Sequence, residues 1–333
     1  MIAAYTNTSD NKHLNSIDYI RAIASLSVAI FHLGGKVLPV LNYGWLGVEM
    51  FFVLSGFIIC WAIPPSYSWR NAGTFISKRL IRIEPPYLIS IMIVVLLNLI
   101  FISGNSLDWN NLILHIAYLN NFFNQPYLNP VYWTLGIEFQ YYVLIALIFP
   151  FLKKTWGKWL IAALTILPVF IHTKGQVIFN LFPLFALGIF LFLYKKKHIK
   201  EIEFVLFSVL TVIICFLNFG IPETISGIVA LTIMLLPLKS NFLISFFSKI
   251  SFSLYLTHDI FGSKLVVFIG TLLPKTIFYK GSIFVFGILI SIIIAYIFYT
   301  LIELPFLNKS KLIQYSFQKK SLIKSNLQVK TTI

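Results

Sequence analysis

The chain has 333 residues, of which 58% are hydrophobic and only 11% charged, with a formal net charge of +15. So little charge over such a length excludes an ordinary soluble domain and indicates a polytopic membrane protein, read here as all-α. A balance this basic would point to nucleic acid in a soluble protein, but in a membrane protein it is tested first against topology.

In chain order, a polar segment of residues 1–16 precedes apolar runs long enough to cross about 30 Å of hydrocarbon. They lie near 17–38, 43–63, 85–103, 131–150, 156–173, 177–194, 203–219, 222–238, 249–270 and 282–304. This reading gives about ten transmembrane helices. The first run is long and carries no small-x-small cleavage site, so it reads as a retained span and not a removed signal peptide. The seventh and eighth are joined only by Gly220-Ile221-Pro222 and read alternatively as a tight or re-entrant pair. The expected organisation is a cytoplasmic segment 1–16, a membrane domain 17–306 and a basic cytoplasmic tail 307–333. Cys60 and Cys215 both fall inside spans, which argues against a disulfide framework or a zinc site, and no metal is expected.

With both termini on the cytoplasmic side, 20 of the 26 Lys and Arg residues fall in cytoplasmic segments and four outside, while Arg21 and Lys264 lie within spans. That asymmetry is what the positive-inside rule requires, and it accounts for the basic charge without nucleic acid. The longest outside segment, 103–130, has no Lys or Arg and is rich in amides and aromatics, a composition suited to sugar hydroxyls and equally to an ordinary solvated loop. Its middle, LILHIAYL, reads as an interfacial or re-entrant helix.

Membrane interiors exclude charge, so the ionisable residues inside spans are the candidates for chemistry: Arg21, His32, Glu49, Glu138, His258, Lys264 and Glu303. Arg21 and His32 are eleven residues apart in one apolar run. At about 100° per residue they share a helix face, and at about 1.5 Å rise they stand roughly 16 Å apart. Arg21 is then expected near one membrane surface and His32 near the middle. Lys264 is read as reaching outward to the interface. Arg79 and Arg82, three residues apart, share a face and can hold phosphate oxygens. An imidazole at depth serves as general base or nucleophile, and a carboxylate beside it orients it. Together these groups suit transfer of a group from a phosphorylated cytoplasmic donor with a long flexible arm, such as coenzyme A. Ser55 is a conceivable acyl carrier, although a serine beside Gly56 in a membrane helix is more often a packing contact. Midplane His and Glu also describe the proton relay of a transporter or glycan flippase, against which stands the absence of an inverted repeat.

The motifs carrying these residues resemble the acyltransferase 3 family of polytopic acyltransferases. IDYIRAIASLSVAIFH holds an arginine-x10-histidine motif in Arg21 and His32. GWLGVEMFFVLSGFII is similar to a second-span signature, with Glu49 where aspartate is common. RLIRIEPPY resembles the arginine-x-x-arginine stretch, WTLGIEFQYY places Glu138 between Trp133 and Tyr142, SFSLYLTH ends on His258, and YTLIELPF holds Glu303. Leu304 stands where arginine often follows that glutamate.

The resemblance implies transfer of an acyl group, usually acetyl, from cytoplasmic acyl-CoA to a hydroxyl of a surface or lipid-linked glycan, in a bacterial inner membrane. On this reading Arg21, Arg79 and Arg82 bind the donor, His32 and Glu138 are catalytic, and Glu49, His258, Trp133, Tyr142 and Glu303 support the pocket. Some members carry a fused extracytoplasmic esterase-like domain. These 333 residues leave no room for one, so a separate extracytoplasmic transferase is a partner to be considered.

Overall fold

The computed structural model describes residues 15–101, 108–171 and 176–315. The segment before residue 15 and the lysine-rich chain past residue 315 lie outside the described residues. Every regular element among the described residues is helical. Seven helical rods are long and apolar enough to cross a membrane: Leu41–Ala62, Trp69–Ile100, Trp133–Leu152, Ile178–Lys195, Glu201–Phe219, Phe242–Leu272 and Ile277–Leu312.

The helices in chain order are α1 (Asn15–His32), α2 (Gly47–Ala62), α3 (Ala72–Phe101), α4 (Trp109–Ile116), α5 (Asn120–Phe123), α6 (Trp133–Leu152) and α7 (Gly157–Phe170). They continue with α8 (Ile178–Lys195), α9 (Glu201–Phe219), α10 (Ile221–Leu235), α11 (Phe242–Thr257), α12 (Lys264–Leu272), α13 (Ile277–Phe298) and α14 (Leu304–Leu312). Each apolar run read from the sequence falls on a helix, but three of these helices are not among the seven: α7 and α10, which are apolar but shorter, and α1.

Four boundaries differ from the sequence reading. The first run does not continue to residue 38: α1 stops at His32, because Gly34 takes φ +130°, a conformation that only glycine adopts without strain. His32 is therefore the last residue of its helix. The third run starts well before Pro85, since α3 carries Pro85 and Pro86 inside it and places Arg79 and Arg82 within the helix. The last two rods are each interrupted by a π turn, His258–Ser263 between α11 and α12 and Tyr299–Glu303 between α13 and α14. Finally, the expected tail begins as helix: α14 packs on α3, where Lys78 Nζ donates to the Ile313 carbonyl at 2.8 Å and faces the buried Tyr315 ring. Gly220 alone separates α9 from α10, and the two helices pack on each other and on α8.

The core gathers on α2, α6 and α8, with Phe52, Phe57, Tyr141, Phe149, Phe182, Phe185 and Phe190 almost fully buried. At the α2–α8 crossing, a Cβ on Gly56 would meet the Phe185 carbonyl, and one on Gly188 would meet the Val53 carbonyl. Both positions are small because the two backbones touch, as expected where lipid-embedded helices gain stability from close packing. That contact sets the rotation of α2. Its opposite face is left to line a cavity.

Candidate active site

Together with Leu54 on its flank, one face of α2, comprising Val48, Phe51, Phe52, Ser55, Ile58, Ile59 and Ala62, lines a cavity of about 230 Å³. The spacing is that of a single helical face, which rises about 21 Å from Ala62 to Val48. The other walls come from Arg21 on α1, Arg79, Arg82 and Ile83 on α3, Thr134, Leu135, Glu138 and Tyr142 on α6, and Ser251, Phe252 and Tyr255 on α11. The pair spaced at i and i+3 on α3 and the arginine on α1 thus reach the same space. Arg21 Nε and Arg79 Nε are buried without a hydrogen-bond partner. The Arg79 guanidinium lies over the rings of Phe75 and Tyr142, 5.5 and 5.9 Å from their centroids. Buried N–H groups left open on a cationic wall favour an anion with oxygen acceptors.

Glu138 faces these arginines. Tyr142 donates to Glu138 Oε1, and Ser55 donates to the same oxygen at 3.4 Å. Gly56 makes the α8 contact, so Ser55 is turned to the cavity and is not the packing residue expected from the sequence.

His32 does not line this cavity. Between them stand Tyr255 and His258. Tyr255 lines the cavity, holds Thr134 Oγ1 at 2.7 Å and donates to the Val131 carbonyl at 3.2 Å. Its ring lies 6.2 Å from the His258 ring, which lies 5.3 Å from His32. His258 is fully buried, its Nδ1 is 2.9 Å from the Leu254 carbonyl, and its Nε2 has no partner. Asp259 Oδ1 is 3.9 Å from His32 Nδ1, and Ser263 Oγ donates to the His32 carbonyl at 3.1 Å. The imidazole thus has His258 and Asp259 beside it, while Glu138, expected to position the imidazole or the acceptor, lines the cavity.

The remaining expected pocket residues lie outside both groups. Glu49 is buried on α2 with Oε2 unpartnered, and it does not line the cavity. Glu303 accepts from Ser253 Oγ at 2.6 Å and acts electrostatically on Arg21 and Arg82 from behind the cavity wall. Trp133 packs edge-on against Phe52, a cavity residue. Asp259 and Tyr255 were missed by the sequence reading. Asp259 was legible as a carboxylate inside the ninth apolar run, immediately after His258.

Above α3 and α6, α4 and α5 form a cap pinned by His115. This fully buried ring accepts from the Leu128 N–H at 2.9 Å through Nε2 and donates from Nδ1 to the Asn111 carbonyl at 2.8 Å. Burial holds its imidazole below the ordinary value.

A family described as "Acyltransferase domain" matches residues 14–300. The chain belongs to that family. The match contains α1, both arginines of α3, the α6 glutamate and the π turn after α11, so cavity and histidines are parts of the family's domain. Among relatives, O-acetyltransferase OatA of Staphylococcus aureus (strain NCTC 8325 / PS 47) is 32% identical over 157 residues, covering 42% of this chain and 25% of OatA. A protein of Acidianus two-tailed virus, ORF330, whose name assigns it provisionally as an acetyltransferase, is 32% identical over 159 residues, covering 47% of this chain and 46% of the viral protein. The chain thus spans about a quarter of the OatA length and less than half of the viral relative. No solved structure matches.

Proposed function

We propose that the chain is a membrane O-acyltransferase that moves an acyl group, acetyl in the first instance, from cytoplasmic acyl-CoA to a hydroxyl of a cell-surface or lipid-linked glycan. The observation that carries this reading is the cavity itself, whose wall holds Arg21 and Arg79 with Nε unpartnered and also Tyr255, behind whose ring His258 and then His32 follow. Arg21, Arg79 and Arg82 hold the donor's phosphates. The flexible arm of the donor follows the apolar face of α2, past the Ser55–Glu138 pair, towards the histidines. His32, with an 18% exposed side chain, meets the acceptor hydroxyl at the far end.

In this reading ten helices cross a bacterial inner membrane with both termini in the cytoplasm, in keeping with the Lys and Arg distribution. The name of OatA, an O-acetyltransferase, supports acetyl as the group and a hydroxyl as the acceptor.

The test is a membrane assay with radiolabelled acetyl-CoA and extracted surface glycan, comparing wild type with His32→Ala. Label on the glycan with wild type alone is expected. Equal label with both removes the role given to His32, and solute flux without label in either favours a transporter.

A further inference from the structure

The wider π turn gathers three groups around the end of α1. His258, Asp259 and Ser263 all come from this one turn, and all three approach His32. An α-helix separates consecutive residues by about 100°, so two adjacent side chains do not ordinarily reach one target. A π turn inserted in an α-helix breaks that phase, and such turns are frequent at functional sites.

Resting on the transfer reading above, we infer that Asp259 is a positioning residue that makes His32 a general base, and that His32 is not a covalent acyl carrier. Asp259 Oδ1 stands on the Nδ1 side of the His32 ring at 3.9 Å, a separation that tightens to a hydrogen bond when the site fills. An N–H at Nδ1 aimed at this carboxylate leaves the Nε2 lone pair for the acceptor hydroxyl. His32 then takes the hydroxyl proton at Nε2 as the hydroxyl oxygen bonds to the acyl carbon. The carbon–sulfur bond breaks, and the proton passes to the departing thiolate. Asp259 stays ionised throughout and faces the imidazolium while it exists.

The surroundings of the ring favour this assignment. Ser263 holds the backbone of His32 through its carbonyl, which fixes the last turn of α1. His258 commits its Nδ1 hydrogen to Leu254, so it has no proton to give His32 from that atom. Lys36 also acts on the ring and is itself drawn over the Phe31 ring at 4.8 Å. Asp259 is the carboxylate paired with His32.

The test measures full-length enzyme in membranes with radiolabelled acetyl-CoA and extracted surface glycan. Asp259→Asn keeps the shape and removes the charge. Turnover is expected to fall roughly 10²-fold or more with the acetyl-CoA KM unchanged, in the range of general acid–base contributions. Asp259→Glu, which restores a carboxylate one methylene out of place, is expected to lie between the two. Wild-type turnover in Asp259→Asn, or a loss expressed only in KM, overturns the inference. If the Asn variant does not extract as a folded protein, Asp259→Glu decides alone: a several-fold loss at constant KM supports the role and unchanged turnover overturns it. Wild type incubated with labelled acetyl-CoA and no glycan is expected to retain no label on protein, whereas label that disappears in His32→Ala overturns the general-base assignment. A wild type that acetylates no glycan contradicts the transfer reading itself, separately from the role of Asp259.

Discussion

Gly188→Ala should loosen the cavity wall without touching a cavity residue. The added Cβ would lie 2.5 Å from Phe57 N and 2.9 Å from the Gly56 carbonyl carbon, against 3.4 Å for the start of ordinary contact. These are backbone atoms and cannot rotate aside, so α2 and α8 must separate by about 1 Å. A gap of 0.5–1 Å forfeits a quarter to a half of the dispersion energy of the atoms it parts. Overpacking of this kind costs roughly 1–3 kcal/mol. Gly281→Ala is the control, since its Cβ meets nothing within 4 Å and the exchange improves helix propensity by about 1 kcal/mol. Thermal unfolding in detergent should show a midpoint several degrees lower for Gly188→Ala and no lower for Gly281→Ala. The acetyl-CoA KM should rise in the first variant alone, because α2 carries the cavity face. Equal midpoints and equal KM in the two variants would refute the claim that the α2–α8 contact sets the cavity.

Arg79→Ala should raise the acetyl-CoA KM by roughly 10- to 100-fold with turnover little changed, as expected on losing a charge-assisted hydrogen bond of about 1.5–3 kcal/mol, and steady-state kinetics in membranes checks it. His115 gives a pH dependence: its folded-state value lies below the ordinary 6.5, so the unfolded chain binds the proton more readily. Its stabilisation is then complete above about pH 6.5 and lost as pH falls below it; melting curves between pH 7.5 and 5 should show the loss in wild type and a weaker one in His115→Gln. Cysteines placed at the exposed positions Asn110 and Lys154 should be labelled from opposite membrane sides, with low background because Cys60 and Cys215 are buried. Labelling of both from outside would refute the proposed topology.

Much of the arginine end of the cavity was legible in the sequence because it rests on helical period alone. The i, i+3 spacing of Arg79 and Arg82 survives even with Pro85 and Pro86 inside α3, and the apolar face of α2 repeats at the same period. The histidine end was less legible because it depends on departures from that period. Gly34 ends α1 at His32, which a hydropathy run extending to residue 38 conceals. The π turn brings Asp259 beside His32, a neighbour that the sequence reading did not name. The role of Ser55 turned on which neighbour packs against α8, and two-residue context could not separate Ser55 from Gly56.

The central claim is that an acyl group enters at the arginines and leaves at His32. Its most direct test is purified enzyme oriented in sealed vesicles, with labelled acetyl-CoA confined to one side and surface glycan to the other. Label should reach the glycan only when acetyl-CoA is on the side that exposes Lys154. Equal transfer from either side, or transfer only to glycan on the acetyl-CoA side, would contradict it.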